Sequence, residues 1–184
     1  MTPFKDKLPG LERGAEKHYD LLSIDQIKNL EFEGGAALRD GSVADDAYLF
    51  LWRVSAGGSI EELTLAEQAY AAARAWDFAP KTEHVWRKQT VNGKRHFGMG
   101  WHLRNEHETC IVAVRGNPKP LVRNIRSVLE APAPSGVNGR AIHSAKPDAF
   151  YTEVAEKISR GPYLELFARS LRPGWTCYGN QLPR

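Results

Sequence analysis

Two stretches, "AYLFLWRV" (47–54) and "TCIVAVRG" (109–116), decide how this chain is read. Each is a continuous apolar or aromatic run, too short for a helix and without polar alternation. Such runs suit strands buried on both faces, the signature of a parallel sheet covered by helices. "YLELFA" (163–168) and "TCYGNQ" (176–181) read as two further strands, separated by the turn "RPGW".

Helical signals alternate with these strands. Ser23 and Gln26 form a capping box before Ile24, Ile27 and Leu30. Ser59 and Glu62 form a second, predicting a helix through Trp76 with Ile60, Leu63, Ala66, Ala69 or Tyr70, and Ala73 inward. Pro147 stands where a helix should begin, and Tyr151, Val154 and Ile158 continue one apolar face to about Ser159. "KTEHVWRKQTVNGKRHFGMG" (81–100) reads as two strands around a type I′ turn at Asn92-Gly93, and "APAPSGVNGR" (131–140) as a loop. Strand, helix, strand predicts one α/β domain over 1–184, with a mainly parallel, three-layer sheet and an inserted hairpin and loop at 81–108.

Composition sets outer bounds. Hydrophobic residues make up 42% and charged residues 26% of the 184, an ordinary globular balance. A formal net charge of +3 makes no global demand for nucleic acid, so any such case rests on local clusters. Cys110 and Cys177 sit in apolar runs without C-x-x-C spacing, which predicts buried, reduced thiols and a cytoplasmic protein. No apolar run approaches a membrane span, and Phe4, Leu8 and Leu11 lie apart among charges rather than forming a signal sequence. His102, Glu106, His107 and Glu108 in "HLRNEHE" match no helical zinc-pair spacing, so no metal is expected.

In open α/β sheets, ligands bind beyond the carboxyl ends of the strands. Three polar clusters fall there: "HSAKPD" (143–148), Glu165 with Arg169, and Asn180 with Gln181. Singly they read as helix caps, a charge at a sheet margin and a polar tail. Together, an amine at a helix start, a guanidinium and a side-chain amide pair suit a cofactor bearing a carboxylate and a ribose. Arg87, Lys88, Lys94, Arg95 and Arg104, with the basic stretch from Arg115 to Arg126, make either a solvated face or a phosphate-tracking surface. His96 and Trp101 are aromatics suited to stacking on bases.

"AEKHYDLLSIDQIKNL", "DDAYLFLWRV", "HETCIVAVRGNPK", "HSAKPDAFYTEV" and "GPYLELFARSLRPGWTCYGNQ" together resemble the adenine-N6 methyltransferases of the MT-A seventy-kilodalton-subunit family. The His-Ser-x-Lys-Pro-Asp form is similar to that of its bacterial and phage members. The resemblance runs from about Arg13 to Leu182 and implies a Rossmann-like fold, S-adenosylmethionine as cofactor and nucleic acid, DNA before RNA, as partner. It implies that Lys146 pairs with the cofactor's carboxylate, that Arg169, Asn180 and Gln181 hold its ribose, and that Glu165 and Phe167 belong to the same site. Tyr19 would lie in a first active-site loop (1–22), and Asn105 and Glu108 in a second, near the acceptor base. The adenine amine's lone pair is conjugated into the ring, so such enzymes flip the base out and accept hydrogen bonds from the amine.

The family's Asp-Pro-Pro-Trp motif is absent from this sequence. Met1-Thr2-Pro3-Phe4 stands in the matching place, with Pro3 and Phe4 as degenerate counterparts, and the strand due before it is missing. Methyl transfer to adenine N6 is therefore expected beside an alternative: a catalytically silent or N-terminally truncated chain serving as a nucleic-acid-binding or dimerising subunit, as a homodimer or with a related methyltransferase.

Overall fold

The computed structural model describes residues 22–31, 43–54, 62–98, 102–136, 139, 142, 144–180 and 182. They form a mixed α/β chain with sheet at its core, divided into two compact units, Met1–Arg87 with Phe97–Pro118 and Lys88–His96 with Lys119–Arg184.

The first unit is built on β3 (His107–Arg115), which lies between β1 (Ala47–Arg53) and β2 (Ala79–Gln89). Both neighbours are antiparallel to it, with Trp52 and His84 opposite Cys110 and Trp86 opposite Glu108. This corrects the expectation of a mainly parallel sheet. A continuous apolar run reports burial on both faces and is silent on strand direction, and a central antiparallel strand is buried in the same way. Glu108 to Ala113 are all buried, whereas every residue of β1 is half-buried.

Alternation along the strands sorts the side chains to two faces. Arg53 of β1 and Glu83 of β2 share one face, where Arg53 Nη2 lies 2.8 Å from Glu83 Oε1. Tyr70 of α2 (Leu65–Ala75) donates its hydroxyl to the same oxygen at 3.0 Å, which ties the helix to that face. Trp52, His84 and Trp86 occupy the other, the Trp52 ring meeting each of the other two edge-on at 6.4–6.5 Å.

The helix α2 starts later than the Ser59–Glu62 signal predicts. Its N-cap is Thr64, whose hydroxyl accepts from Glu67 N while the Glu67 carboxylate accepts from Thr64 N. The same Ser/Thr-x-x-Glu pattern recurs five residues on, and the later copy leads directly into the run that buries Ala72 and Ala73. Ser59 and Ile60 lie outside the described residues, and Leu63 is exposed. The first box holds as predicted: Ser23 caps α1 (Ile24–Lys28) with Gln26 reciprocating. Trp76 Nε1 then fastens α1 by donating to Ile27 O at 3.0 Å.

The chain turns back around Asn92-Gly93, but most of 81–89 is engaged elsewhere. These residues belong to β2 and pair with β3 from Thr82 to Arg87, because His84 and Trp86 are core residues. Gln89 bridges Arg95, with His96 N donating to Lys88 O at 3.1 Å and Thr90 N to Lys94 O at 2.7 Å, which closes a short antiparallel turn. Gly93 takes a positive φ of 72° while Asn92 does not, so the turn is a three-residue bulge connection rather than type I′.

In the second unit, β4 (Val128–Pro132) runs beside Gln89, whose amide donates to Glu130 at 2.7 Å. This strand is absent from the sequence reading, because its five residues mix apolar, acidic and proline positions. Three short helical pieces follow without a break, α3 (Asp148–Phe150), a π-turn (Tyr151–Ala155) and α4 (Glu156–Ile158). Pro147 is the N-cap rather than the first helical residue, and Tyr151 and Val154 are buried as expected. β5 (Tyr163–Leu166) and β6 (Trp175–Tyr178) pair in parallel, with Glu165 opposite Cys177 and Leu166 opposite Tyr178. Among the described residues no helix is long and apolar enough to cross a membrane.

Candidate functional site

Because β5 and β6 are parallel and in register, their carboxyl ends, Leu166 and Tyr178, lie side by side. The segments that leave them carry Phe167, Arg169 and Asn180. They are held close: Ala168 N donates to Tyr178 O at 2.9 Å, and a Cβ on Gly179 would stand 2.3 Å from Ala168 O. No side chain fits at position 179, so glycine there is a condition of the two strand ends meeting.

Phe167 takes a positive φ of 58° and is half exposed. A bulky residue in the left-handed region is a local outlier of the kind that collects at ligand sites. Asn180 is exposed at the end of β6, and Arg169 is half-buried after β5.

Lys146 stands two residues before the helical run, its Nζ donating to Ser144 O at 3.1 Å, and Ser144 has a positive φ of 63°. The head of that helix is tied to the connection between β5 and β6. Arg172 Nη2 lies 2.9 Å from Asp148 Oδ1, and its guanidinium carbon sits 3.5 Å from the centre of the Tyr151 ring. The partly buried Arg172 is stabilised in its charged form; burial opposes this, and the hydrogen bond to Asp148 and the nearby negative charges outweigh it.

Glu165 is half-buried in β5 and accepts the Tyr151 hydroxyl at 2.6 Å through Oε1. Burial first, then the Glu165 carboxylate as acceptor and as charge, push the Tyr151 hydroxyl well above its ordinary pKa. The Tyr163 ring stacks on Trp175 at 4.6 Å, and Trp175 Nε1 donates to Glu156 at 2.8 Å. The second unit thus sets a cation, a carboxylate, a guanidinium and a side-chain amide on one helix start and two parallel strand ends. Those groups are the complement of an amino-acid carboxylate and a ribose.

The Tyr151 hydroxyl bond to Glu165 is not legible in the sequence, because the spacing of Tyr151 with Val154 and Ile158 marks an apolar face and says nothing of its hydroxyl. Gln181, Tyr19, Pro3, Phe4 and Trp101 lie outside the described residues.

In the first unit Asn105 is exposed ahead of β3, and its carbonyl accepts from Gly98 N at 2.8 Å. Glu108, expected in a loop, is instead a buried β3 residue opposite Trp86. Arg104 is exposed and Arg87 half-buried at the end of β2. Arg115 departs from the basic surface expected over 115–126. Its guanidinium donates to Trp76 O at 2.6 Å and packs 4.9 Å from the Phe78 ring centre, so it closes the end of α2. In the second unit Lys94, Arg95 and His96 are exposed and Lys88 half-buried. Both cysteines are free, Cys110 buried and Cys177 half-buried.

The family model described as MT-A70 matches residues 10–181. The chain is similar to the N6-methyladenosine RNA methyltransferase MTA1 of Cryphonectria parasitica, 28% identical over 76% of this chain and 39% of that protein. It is similar to the human N(6)-adenosine-methyltransferase catalytic subunit METTL3, 29% identical over 91% of this chain and 26% of that protein. It is also similar to the type II methyltransferase M.MunI of Mycoplasma sp, 26% identical over 92% of this chain and 62% of that protein. The chain therefore spans 39% or less of the first two of these relatives.

Proposed function

Since the chain belongs to the MT-A70 family, we propose that it transfers the methyl group of S-adenosylmethionine to the N6 amine of adenine in nucleic acid. The observation that carries this reading is the family match over 10–181, which takes in the polar groups gathered at the ends of β5 and β6. DNA is the proposed substrate, on the His-Ser-x-Lys-Pro-Asp form at 143–148, which resembles that of the family's bacterial and phage members.

The residues present fit the cofactor. Among the described residues the second carboxylate oxygen of Glu165 accepts no hydrogen bond, and Asn180 is exposed just past the end of β6. When bound, S-adenosylmethionine supplies an electrophilic methyl on a sulfonium. Lys146 would hold the carboxylate as a compact point charge, and Arg169, Asn180 and Gln181 would hold the ribose hydroxyls, with Glu165 accepting from them. Phe167 would pack on the nucleoside. On the acceptor side, Tyr19, Asn105 and Glu108 would orient the adenine and accept from its amine, with Pro3 and Phe4 in the place of the family's tetrapeptide. Arg87, Lys88, Lys94, Arg95 and Arg104 would hold phosphates. Placing the amine in line with the methyl accounts for much of the acceleration.

One second reading is a catalytically silent subunit that binds nucleic acid or pairs with an active partner. Tritiated methyl transfer to an adenine-containing DNA duplex, with an RNA of the same sequence in parallel, tests both. Transfer to DNA supports the first reading and transfer to RNA alone reassigns the substrate. No transfer to either, with calorimetric cofactor binding intact, selects the silent subunit.

A further inference from the structure

We propose that Tyr151 is a positioning residue for Glu165, fixing one carboxylate oxygen so that the other is presented to a ribose hydroxyl of the bound nucleoside. This rests on the cofactor reading above and adds to it a residue and a task. A carboxylate is acceptor-only, so the partner it seeks in a ligand is a hydroxyl or an amine. On a flexible Glu side chain that acceptor is smeared over several rotamers, and each costs affinity when it is frozen on binding.

Tyr151 removes that freedom beforehand. Its hydroxyl reaches Glu165 Oε1 at 2.6 Å, the length of a charge-assisted bond. Among the described residues Oε2 has no such partner, so the carboxylate is half satisfied by the protein and half available. The tyrosine is itself immobilised on three sides. The Arg172 guanidinium covers its face at 3.5 Å, and the rings of Trp175 and Phe150 meet it edge-on at 5.3 and 5.7 Å. Burial and the Glu165 carboxylate raise its pKa, which keeps the hydroxyl protonated and a donor at neutral pH.

The backbone adds an independent mark. The π-turn begins at Tyr151, inside a run that is α-helical before and after it. Such single π-turns occur frequently at functional sites, because the extra residue re-aims side chains relative to an unbroken helix.

A merely structural bond, stapling helix to strand, would not distinguish one ligand hydroxyl from its absence. The test uses that difference. Calorimetry would compare wild type, Tyr151→Phe and Glu165→Gln with three ligands: S-adenosylhomocysteine and its 2′-deoxy and 3′-deoxy counterparts. Phenylalanine keeps the ring packing, and thermal melts confirm that each variant is folded. Wild type should lose about tenfold in affinity for the analogue lacking the hydroxyl that Glu165 accepts. In Tyr151→Phe that discrimination should shrink to about twofold, with affinity for the fully hydroxylated ligand lowered about fivefold and affinity for the deoxy analogue unchanged. Glu165→Gln should show the same pattern. Equal losses for all three ligands, or unchanged discrimination in Tyr151→Phe, would overturn the assignment while leaving cofactor binding in place. Failure of wild type to bind any of the three would remove the cofactor reading and this inference with it.

Discussion

The two units are built by different means. In the first, β3 carries six consecutive buried residues from Glu108 to Ala113 and is hydrogen-bonded on both sides. In the second, β5 and β6 have four residues each and none is buried; around them run aromatic rings with polar tips, Tyr151, Tyr163 and Trp175, joined to Glu165, Ser159 and Glu156. Apolar burial is nondirectional and stabilises without specifying geometry. Hydrogen-bonded aromatics specify geometry at a modest net stabilisation each. The first kind of construction makes a scaffold, and the second holds acceptors and donors at fixed positions.

The largest effect should come from the scaffold. Trp86 is 1% exposed and packs edge-on against Trp52 at 6.4 Å. Trp86→Ala should lower the unfolding free energy by about 3–5 kcal/mol. Denaturant melts would measure it, and cofactor affinity per folded molecule should be unchanged. A variant that keeps its stability but loses the ligand would reverse this division of labour.

Gly179→Ala comes next and should do the opposite. Its Cβ would stand 2.3 Å from a backbone oxygen, that of Ala168, so the ends of β5 and β6 must part. Overpacking of this kind costs about 1–3 kcal/mol. The strand ends carry Arg169 and Asn180, so cofactor affinity should fall more steeply than stability. Calorimetry beside thermal melts separates the two, and a loss of stability alone would show that the strand ends carry no ligand.

How much of this contrast is legible in the sequence follows from the range of the forces involved. Capping boxes are local: Ser23 with Gln26 holds as read, and Thr64 with Glu67 obeys the same rule as the displaced Ser59 signal. Burial of 109–113 is legible because composition reports it. The direction of β1 and β2 is not, since pairing is decided between distant segments and both arrangements bury the same residues. Asn92-Gly93 is a strong local signal and the chain does turn back there, Gln89 bridging Arg95, whereas the pairing of His84 and Trp86 with β3 spans a longer loop and is not legible. The polar groups at 146, 165, 169 and 180 could be named as a set from strand ends. The Tyr151 hydroxyl could not, because helical periodicity records which face a residue occupies and not what its last atom touches.

A smaller change sharpens the ligand side. Lys146→Ala leaves the helical run and both strands in place and removes one cation. Loss of a charge-assisted contact should weaken cofactor binding about tenfold, close to 1.4 kcal/mol. A ligand without the amino-acid carboxylate, such as 5′-methylthioadenosine, should bind the variant and the wild type alike. Equal weakening for both ligands would place Lys146 in the fold rather than at the carboxylate.

The smallest effect is a pH dependence in the scaffold. Burial works to raise the Glu83 pKa, but hydrogen bonds from Arg53 and Tyr70 outweigh it and hold the carboxyl below its ordinary 4.5. A group whose folded pKa is depressed adds stability that is present above its unfolded value and lost as pH falls through its folded value. Glu83→Gln should therefore be less stable than wild type at pH 7, and the gap should close as pH is lowered from about 4.5 downward. The neighbouring carboxylates titrate in both proteins, so only the difference between the two stability curves belongs to Glu83. A gap that stays constant with pH would mean that shape rather than charge joins Arg53, Glu83 and Tyr70. The tie between α2 and the sheet at Glu83 would then owe nothing to ionic pairing.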